Sequence, residues 1–411
     1  MRDLPDDLQE AGWQSRADTM PDATWEVVVV GAGPAGAMSA LHLARQGRRV
    51  LLLDRARFPR DKTCGDGLIT DALDELMQVG LLERVARFGH RLSTAVIFSP
   101  GGAEFRIPAE YVTVPRRLLD AMIAREAVRA GAVFGHGQVA EATAEPGGGY
   151  RLRIVGCTRK ASTRAMVVAT GSSIGLGRRI GLVTQPQPSA VGVRCYVRSS
   201  VELDHIVGAF LRPMTPGYGW IFPMGDGLYN VGAVLFDHAS NGRRLNVRDA
   251  FTIFTRDFPP ARELLAAGQP VTPPKGAALR CGLRGSRLHG PGDVLAVGEA
   301  AGATLPLLGE GIGKAMYTGR IAAEVIHEAL QAGDMRMLGE YPRRLERDLR
   351  SLYRGLTRAQ RWVGVPWISD IMSRRVPRSQ YLQETLTRLV RGTCDPAEVF
   401  SLRAVLRSLV R

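Results

Sequence analysis

At 411 residues, 45% hydrophobic and 23% charged, the chain has globular composition and is too long for one ordinary core, which excludes a mini-protein and wholesale disorder. Formal net charge is +14 with only four lysines (Lys62, Lys160, Lys275 and Lys314), so arginine carries the positive charge, and sixteen arginines against seven acids lie in 335–411. No RRM, zinc-finger or helix-turn-helix pattern accompanies that charge, so a nucleic-acid partner is not expected.

The first 24 residues are acidic and polar and lack the basic start and apolar run of a secretory signal; they read as a flexible lead-in. No stretch reaches the length of apolar residues that a membrane span needs. The five cysteines (Cys64, Cys157, Cys195, Cys281 and Cys394) are scattered and never spaced as CxxC. Neither a disulfide framework nor a metal site is signalled, and a cytoplasmic setting is expected.

The run EVVVV at 26–30 predicts a strand buried on both faces, followed at once by Gly31-Ala-Gly33-Pro-Ala35-Gly36 and the helical pattern AMSALHLARQG. Gly31 permits the tight turn, Gly33 lets backbone approach a pyrophosphate, Ala35 sits in the same turn, and Gly36 lets the helix pack on its strand. A second strand, RRVLLLD, ends in Asp54, placed to accept hydrogen bonds from ribose hydroxyls, with Arg55 beside it. A glycine turn by itself is weak evidence; here strand, helix and distant acid agree on a dinucleotide, with FAD and NAD both open.

Far downstream, VLAV at 294–297 predicts a further strand ending in Gly298-Glu299, whose carboxylate suits a ribityl chain. After Pro306, Gly309-Glu-Gly311-Ile312 opens a helix whose free N–H groups and positive dipole suit the carbonyl edge of an isoalloxazine ring. GAGPAG with Asp54, VGEAAG and PLLGEGI resemble the flavoprotein superfamily that contains p-hydroxybenzoate hydroxylase-like monooxygenases, across roughly residues 25 to 330. More narrowly, RFPRDKTCGDGL at 57–68 and YGWIFP at 218–223 resemble the geranylgeranyl reductase family of flavin-dependent double-bond reductases.

The resemblance implies FAD as cofactor, with Arg116 near its diphosphate and ribityl region and Val139 on a strand near adenine. Glu299 stands where Asp is usual, and Thr170 in VVATGSS stands where many hydroxylases have Asp. Flavin-dependent halogenases differ at the Cys64-Gly65-Asp66-Gly67 turn and need a tunnel lysine, yet no lysine lies between Lys62 and Lys160.

Double-bond reduction needs a hydride source, a proton donor and a dry slot for the alkene. Tyr218, Trp220 and Phe222, with Pro223, are expected to supply the slot and Tyr218 also the proton; the CGDG turn resembles the family's flavin-facing turn, which implies that the catalytic candidate Cys64 lies near the ring, and Gly65, Asp66 and Gly67 are placed in the substrate pocket. The plainer alternatives are a core strand of alternating large residues and a buried cysteine serving as a small hydrophobe.

The expected fold is α/β. A Rossmann-type FAD-binding domain (25–185 and 275–330) carries an inserted antiparallel substrate domain (186–274) and a C-terminal helical region (331–411). In the tail, Asp395-Pro396-Ala-Glu398 reads as a helix start before the amphipathic VFSLRAVLRSLVR. Trp362, Val365 and Trp367 read either as a lid over a hydrophobic tunnel, with arginines touching anionic lipid, or as an ordinary packed helix. Expected partners are a small hydrophobic substrate and an external electron donor: NADPH, ferredoxin or reduced flavin. The alternative functions are an FAD-dependent monooxygenase, oxidase or halogenase, and a flavin-binding carrier or membrane-surface adaptor.

Overall fold

The computed structural model describes residues 5–9, 11–16, 24–158, 160–236, 245–390, 392 and 394–396. Strand Thr24–Val30 lies mid-sheet, as its unbroken valines predict. It pairs in parallel with Val50–Asp54 on one side and Lys160–Val168 on the other. Beyond Val50–Asp54, Val133–His136 and Ser15–Arg16 continue the parallel set. Lys160–Val168 also pairs in parallel with Val294–Ala296, so the late segment joins one strand away from Thr24–Val30. Its early residues pair antiparallel with Tyr150–Ile154, which pairs in turn with Val139–Ala144.

Two helices lock this junction. Ser39 Oγ on helix Pro34–Arg45 donates to the Gly319 carbonyl of helix Ile312–Ala332 at 2.9 Å. A Cβ at Gly319 would stand 2.2 Å from the Ala35 carbonyl oxygen, and one at Gly298 2.7 Å from the Ala35 methyl. At the glycine turn, Gly31 has φ +105° and a Cβ there would meet the Ala169 carbonyl oxygen at 2.3 Å, so only glycine fits.

The described part of the lead-in is packed rather than loose. Leu8 and Trp13 are buried, and Trp13 stands edge-on to Phe134 and Phe58 with ring centroids 5.4 and 6.4 Å away. Burying an indole outweighs the polar character of the residues around it.

The second sheet runs Gly268–Pro270, Ala190–Ser199, Leu228–Phe236, Tyr218–Pro223, Ile206–Ala209, His90–Phe98, Glu104–Thr113, Gly67–Leu68, with Lys275–Leu279 also on Ala190–Ser199. It therefore reaches outside 186–274, where the sequence placed it. Ile206–Ala209 pairs in parallel with His90–Phe98, which satisfies backbone groups that a sheet ending there would leave buried and unpaired. The alternation is strict. Val193, Cys195, Val197, Val231 and Ala233 pack on helices Val247–Asp257 and Pro259–Ala266, while Arg194, Tyr196, Trp220 and Asn230 take the opposite face.

Three helices follow: Glu340–Val363, Pro366–Arg375 and Gln380–Val390. The first buries a stripe of Tyr341, Leu345, Leu349, Tyr353 and Leu356. Tyr341 and Tyr353 donate their hydroxyls to the carbonyls of Ala296 (2.9 Å) and Ala303 (2.5 Å). The amphipathic segment after Ala397, including Glu398, lies outside the described residues. No helix among the described residues is long and apolar enough to cross a membrane.

Gly319→Ala is expected to cost about 1–3 kcal/mol through overpacking. It should lower the melting temperature and the FAD content on purification. Gly339→Ala, where a Cβ meets nothing within 4 Å, should change neither. Equal melting curves for the two variants would disprove the close helix contact.

Candidate functional site

One continuous cavity of about 1030 Å³ lies between the two sheets and under the C-terminal helices. That exceeds what a drug-sized ligand needs and suits a dinucleotide together with a second molecule. The glycine turn, Asp54, the Cys64–Gly67 turn, Val139, Glu299 and Gly309–Ile312 line it, as do Tyr218, Trp220 and Phe222. Gly36, Gly298, Pro306 and Pro223 do not. A Cβ at Gly36 would stand 1.8 Å from the Gly31 carbonyl oxygen, and Gly298 is pinned by Ala35, so both act by close packing. The Pro223 carbonyl accepts a hydrogen bond from the Thr113 hydroxyl.

In the half built on the first sheet, Gly33 caps the helix Pro34–Arg45 with no side chain covering its N–H groups. Asp54 accepts from the backbone N–H groups of Ala32 (2.8 Å) and Ala56 (2.9 Å), and each oxygen keeps a second acceptor site for a ribose hydroxyl. Arg55, next in the chain, is exposed at the cavity rim.

Arg116 opens helix Arg116–Arg129 and grips the fully buried Asp120 through two bonds, of 2.6 and 2.9 Å. Arg60 reaches the same carboxylate at 3.1 Å and stands 3.6 Å from where a Gly33 Cβ would be, over the turn that suits a pyrophosphate. Two guanidiniums share one buried carboxylate beside the uncapped helix, and Arg60 also stands 3.9 Å from Asp54. That donor set fits the diphosphate of FAD. The sequence reading missed Arg60, although it lies within the quoted RFPRDKTCGDGL stretch.

At the other end, a Gly311 Cβ would lie 2.7 Å from Thr304 Oγ1, so the chain approaches closely there. The helix Ile312–Ala332 is not as bare as expected, because Glu310 Oε1 takes the Gly313 N–H at 2.7 Å. Burial and the neighbouring Asp71 carboxyl push Glu310 above its ordinary value, and Asp71, paired with Lys314 at 3.0 Å, stands against the same first turn. Glu299 is likewise raised by burial, with Lys62 and Arg116 pulling the other way.

The Cys64–Gly67 turn rests on the second sheet. Asp66 takes φ +64° and is fully buried; Asn230 Nδ2 donates to it at 2.9 Å, the Arg116 N–H at 3.3 Å, and the Tyr196 hydroxyl also donates to it. Asn230 also donates to the Cys64 carbonyl at 2.8 Å and accepts from Trp220 Nε1 at 3.0 Å. Burial raises the Cys64 thiol despite the nearby Arg116, so its sulfur keeps its proton at neutral pH. The Tyr218 hydroxyl donates to the Leu308 carbonyl at 2.5 Å, and burial raises it. That bond holds the Leu305–Gly311 turn against the aromatic strand.

Tyr196 and Asn230 were missed by sequence reading, although both sit at alternate positions of strands it recognised. Trp362 and Val363 end the long helix at the cavity, whereas Trp367 points outward with 65% of its surface exposed. Val365 is half-buried and does not line the cavity.

The comparisons agree with this geometry. Residues 24–163 match the family described as "FAD binding domain". A menaquinone reductase of Mycobacterium tuberculosis is 35% identical over 331 residues, 74% of this chain and 77% of that protein. The chain belongs to the geranylgeranyl reductase family of FAD-dependent oxidoreductases. A digeranylgeranylglycerophospholipid reductase of Methanopyrus kandleri is 31% identical over 348 residues, 80% of this chain and 88% of that protein. Among solved structures, a geranylgeranyl bacteriochlorophyll reductase-like protein of Thermoplasma acidophilum superposes with TM-score 0.75 at 21% identity, covering 94% and 96% of the two chains. A flavin-dependent brominase reaches 0.77 at 20% identity, covering 94% and 98%, which shows the shared fold alone.

Burial, against three hydrogen bonds, pushes Asp66 up to about 6 from an ordinary 3.8. The native state thus holds this proton more tightly than the unfolded chain, and stability falls as pH rises through roughly 4 to 6, by on the order of 2–3 kcal/mol. Asp66→Asn lacks that titration. The advantage of wild type over the variant in thermal melts should shrink between pH 4 and 6.5; a difference that stays constant with pH would refute this assignment.

Proposed function

We propose that the enzyme saturates carbon–carbon double bonds of a prenyl or other lipid-like substrate. The observation that carries this is the continuity of the cavity. The polar half that suits FAD opens directly onto an apolar half walled by Trp220, Phe222 and Ile97 and roofed by Leu382, Leu386 and Val390. The reductase names of the relatives at 35% and 31% identity support the same reading.

Gly31, Gly33, Asp54, Arg60, Arg116, Glu299 and the Gly309–Ile312 turn hold FAD, which when reduced supplies the hydride. Cys64 holds the proton that completes the addition at the neighbouring carbon, and Arg116 steadies the sulfur once the proton has left. Asp66, Asn230 and Tyr196 fix the turn that carries Cys64, and Trp220 and Phe222 exclude water from the alkene. Electrons enter from an external donor: NADPH, ferredoxin or reduced flavin. Helix Pro366–Arg375, with Trp367 and Ile371 exposed beside Arg374, supplies peripheral contact with an anionic lipid face.

A halogenase reading finds less support. Lys62 is the one lysine lining the cavity among the described residues, and Glu299 lies close enough to interact with it.

Anaerobic mixing of the reduced holoenzyme with prenyl substrates should give products two daltons heavier by mass spectrometry. No mass gain with any prenyl substrate, or incorporation of labelled oxygen in air, would overturn the proposal. Cys64→Ala should keep its FAD and lose about a hundredfold or more in turnover, within the range of a lost proton donor. Wild-type turnover in that variant would remove Cys64 from the role.

A further inference from the structure

Arg194 is the largest side chain that the fold encloses completely, with 1% of its surface exposed. Its guanidinium lies over the Tyr196 ring at 4.3 Å, which engages the face of the group and leaves the in-plane N–H donors. Nε and Nη1 are enclosed with no protein acceptor, and no ion pair engages the side chain among the described residues. A buried guanidinium with idle donors is costly unless a ligand oxygen completes it. Arg194 also lines the cavity.

Strand register shows what else lines the sheet at that level. Arg194 stands opposite Gly232, Gly232 opposite Trp220, Trp220 opposite Gly208, Gly208 opposite Ile97, and Ile97 opposite Phe105. A Cβ at Gly232 would stand 2.2 Å from Trp220 Cζ2, so the glycine lets the indole lean toward Arg194. The row thus has one polar end and a long apolar remainder. Five strand steps of about 4.8 Å make it about 24 Å long.

Resting on the reductase reading, we infer that Arg194 anchors a carbonyl oxygen on the substrate's head group, with the prenyl tail laid along the Trp220–Phe105 row. The substrate class that this fits is a prenylated quinone. The Asp66 carboxyl lies near enough to Arg194 for their charges to interact, so the pair is already close to balanced. A neutral carbonyl adds no charge to that enclosure. A diphosphate would add at least two negative charges against one guanidinium. Arg194 is accordingly a specificity residue: it selects the head group and sets which double bond of the tail reaches the reacting position.

The test uses FAD-loaded wild type, Arg194→Lys and Arg194→Met, titrated with three probes of equal tail length: a prenyl naphthoquinone, the tail hydrocarbon without a head, and the prenyl diphosphate. Affinity is read from the perturbation of flavin absorbance and from tryptophan quenching. Arg194→Met should weaken quinone binding by about tenfold or more, the loss expected for a hydrogen bond to a charged group, and Arg194→Lys by less. The hydrocarbon should bind all three proteins alike. FAD content and spectrum should not change.

Equal quinone affinity in wild type and Arg194→Met, or no quinone binding by wild type, would overturn the assignment. A shifted flavin spectrum with quinone affinity intact would assign the arginine to the cofactor instead. A larger loss for the diphosphate than for the quinone would overturn the carbonyl class. Quinone binding that depends on Arg194 without any two-dalton product would sink the proposed reaction and leave the anchor standing.

Discussion

The site exists because two helices some 280 residues apart in sequence touch through glycine and small side chains. Helix Pro34–Arg45 brings the glycine turn, and helix Ile312–Ala332 brings the Gly309–Ile312 turn. Their separation at Ala35, Ser39 and Gly319 sets how far apart those turns stand. Any side chain at Gly319 would wedge the Ala35 carbonyl away. Interiors packed to crystal density transmit such a displacement rather than absorb it, so the spacing of the two turns is as rigid as the contact itself.

Charge inside this enclosure is arranged in groups. Asp120 is shared by Arg116 and Arg60, and Asp66 is held by Tyr196, Asn230 and a backbone N–H. Glu310 is raised by burial beside Asp71 and still accepts the Gly313 N–H. Arg194 Nε and Nη1, and Glu310 Oε2, are enclosed with no protein partner. In a low-dielectric cavity each of these choices carries far more weight than it would in water, which is why a handful of side chains can govern both cofactor and substrate.

Much of this was legible from residue order. The EVVVV strand, the glycine turn, Asp54 and the later VLAV strand have local signatures, and the structure places all of them at one end of one sheet. The aromatic strand at Tyr218–Pro223 was equally readable, since alternate large residues mark one face. The extent of the second sheet was not, because nothing in 90–113 says which edge those strands join. That pairing is decided by the open edge of Ile206–Ala209. Trp13 was hidden by its polar neighbours, and only the Phe58 and Phe134 rings, distant in sequence, explain its burial. Arg194 has no local signature among fifty arginines, yet its place two residues before Tyr196 puts both on the inward face.

The parallel pairing of Ile206–Ala209 with His90–Phe98 has a consequence for the evolution of the family. The half that walls the apolar chamber is stitched from stretches on both sides of the glycine-turn scaffold's own strands. A new substrate preference cannot be acquired by grafting a single contiguous module from a relative. The side chains that could set specificity are spread over that weave, on an architecture that a brominase structure shares.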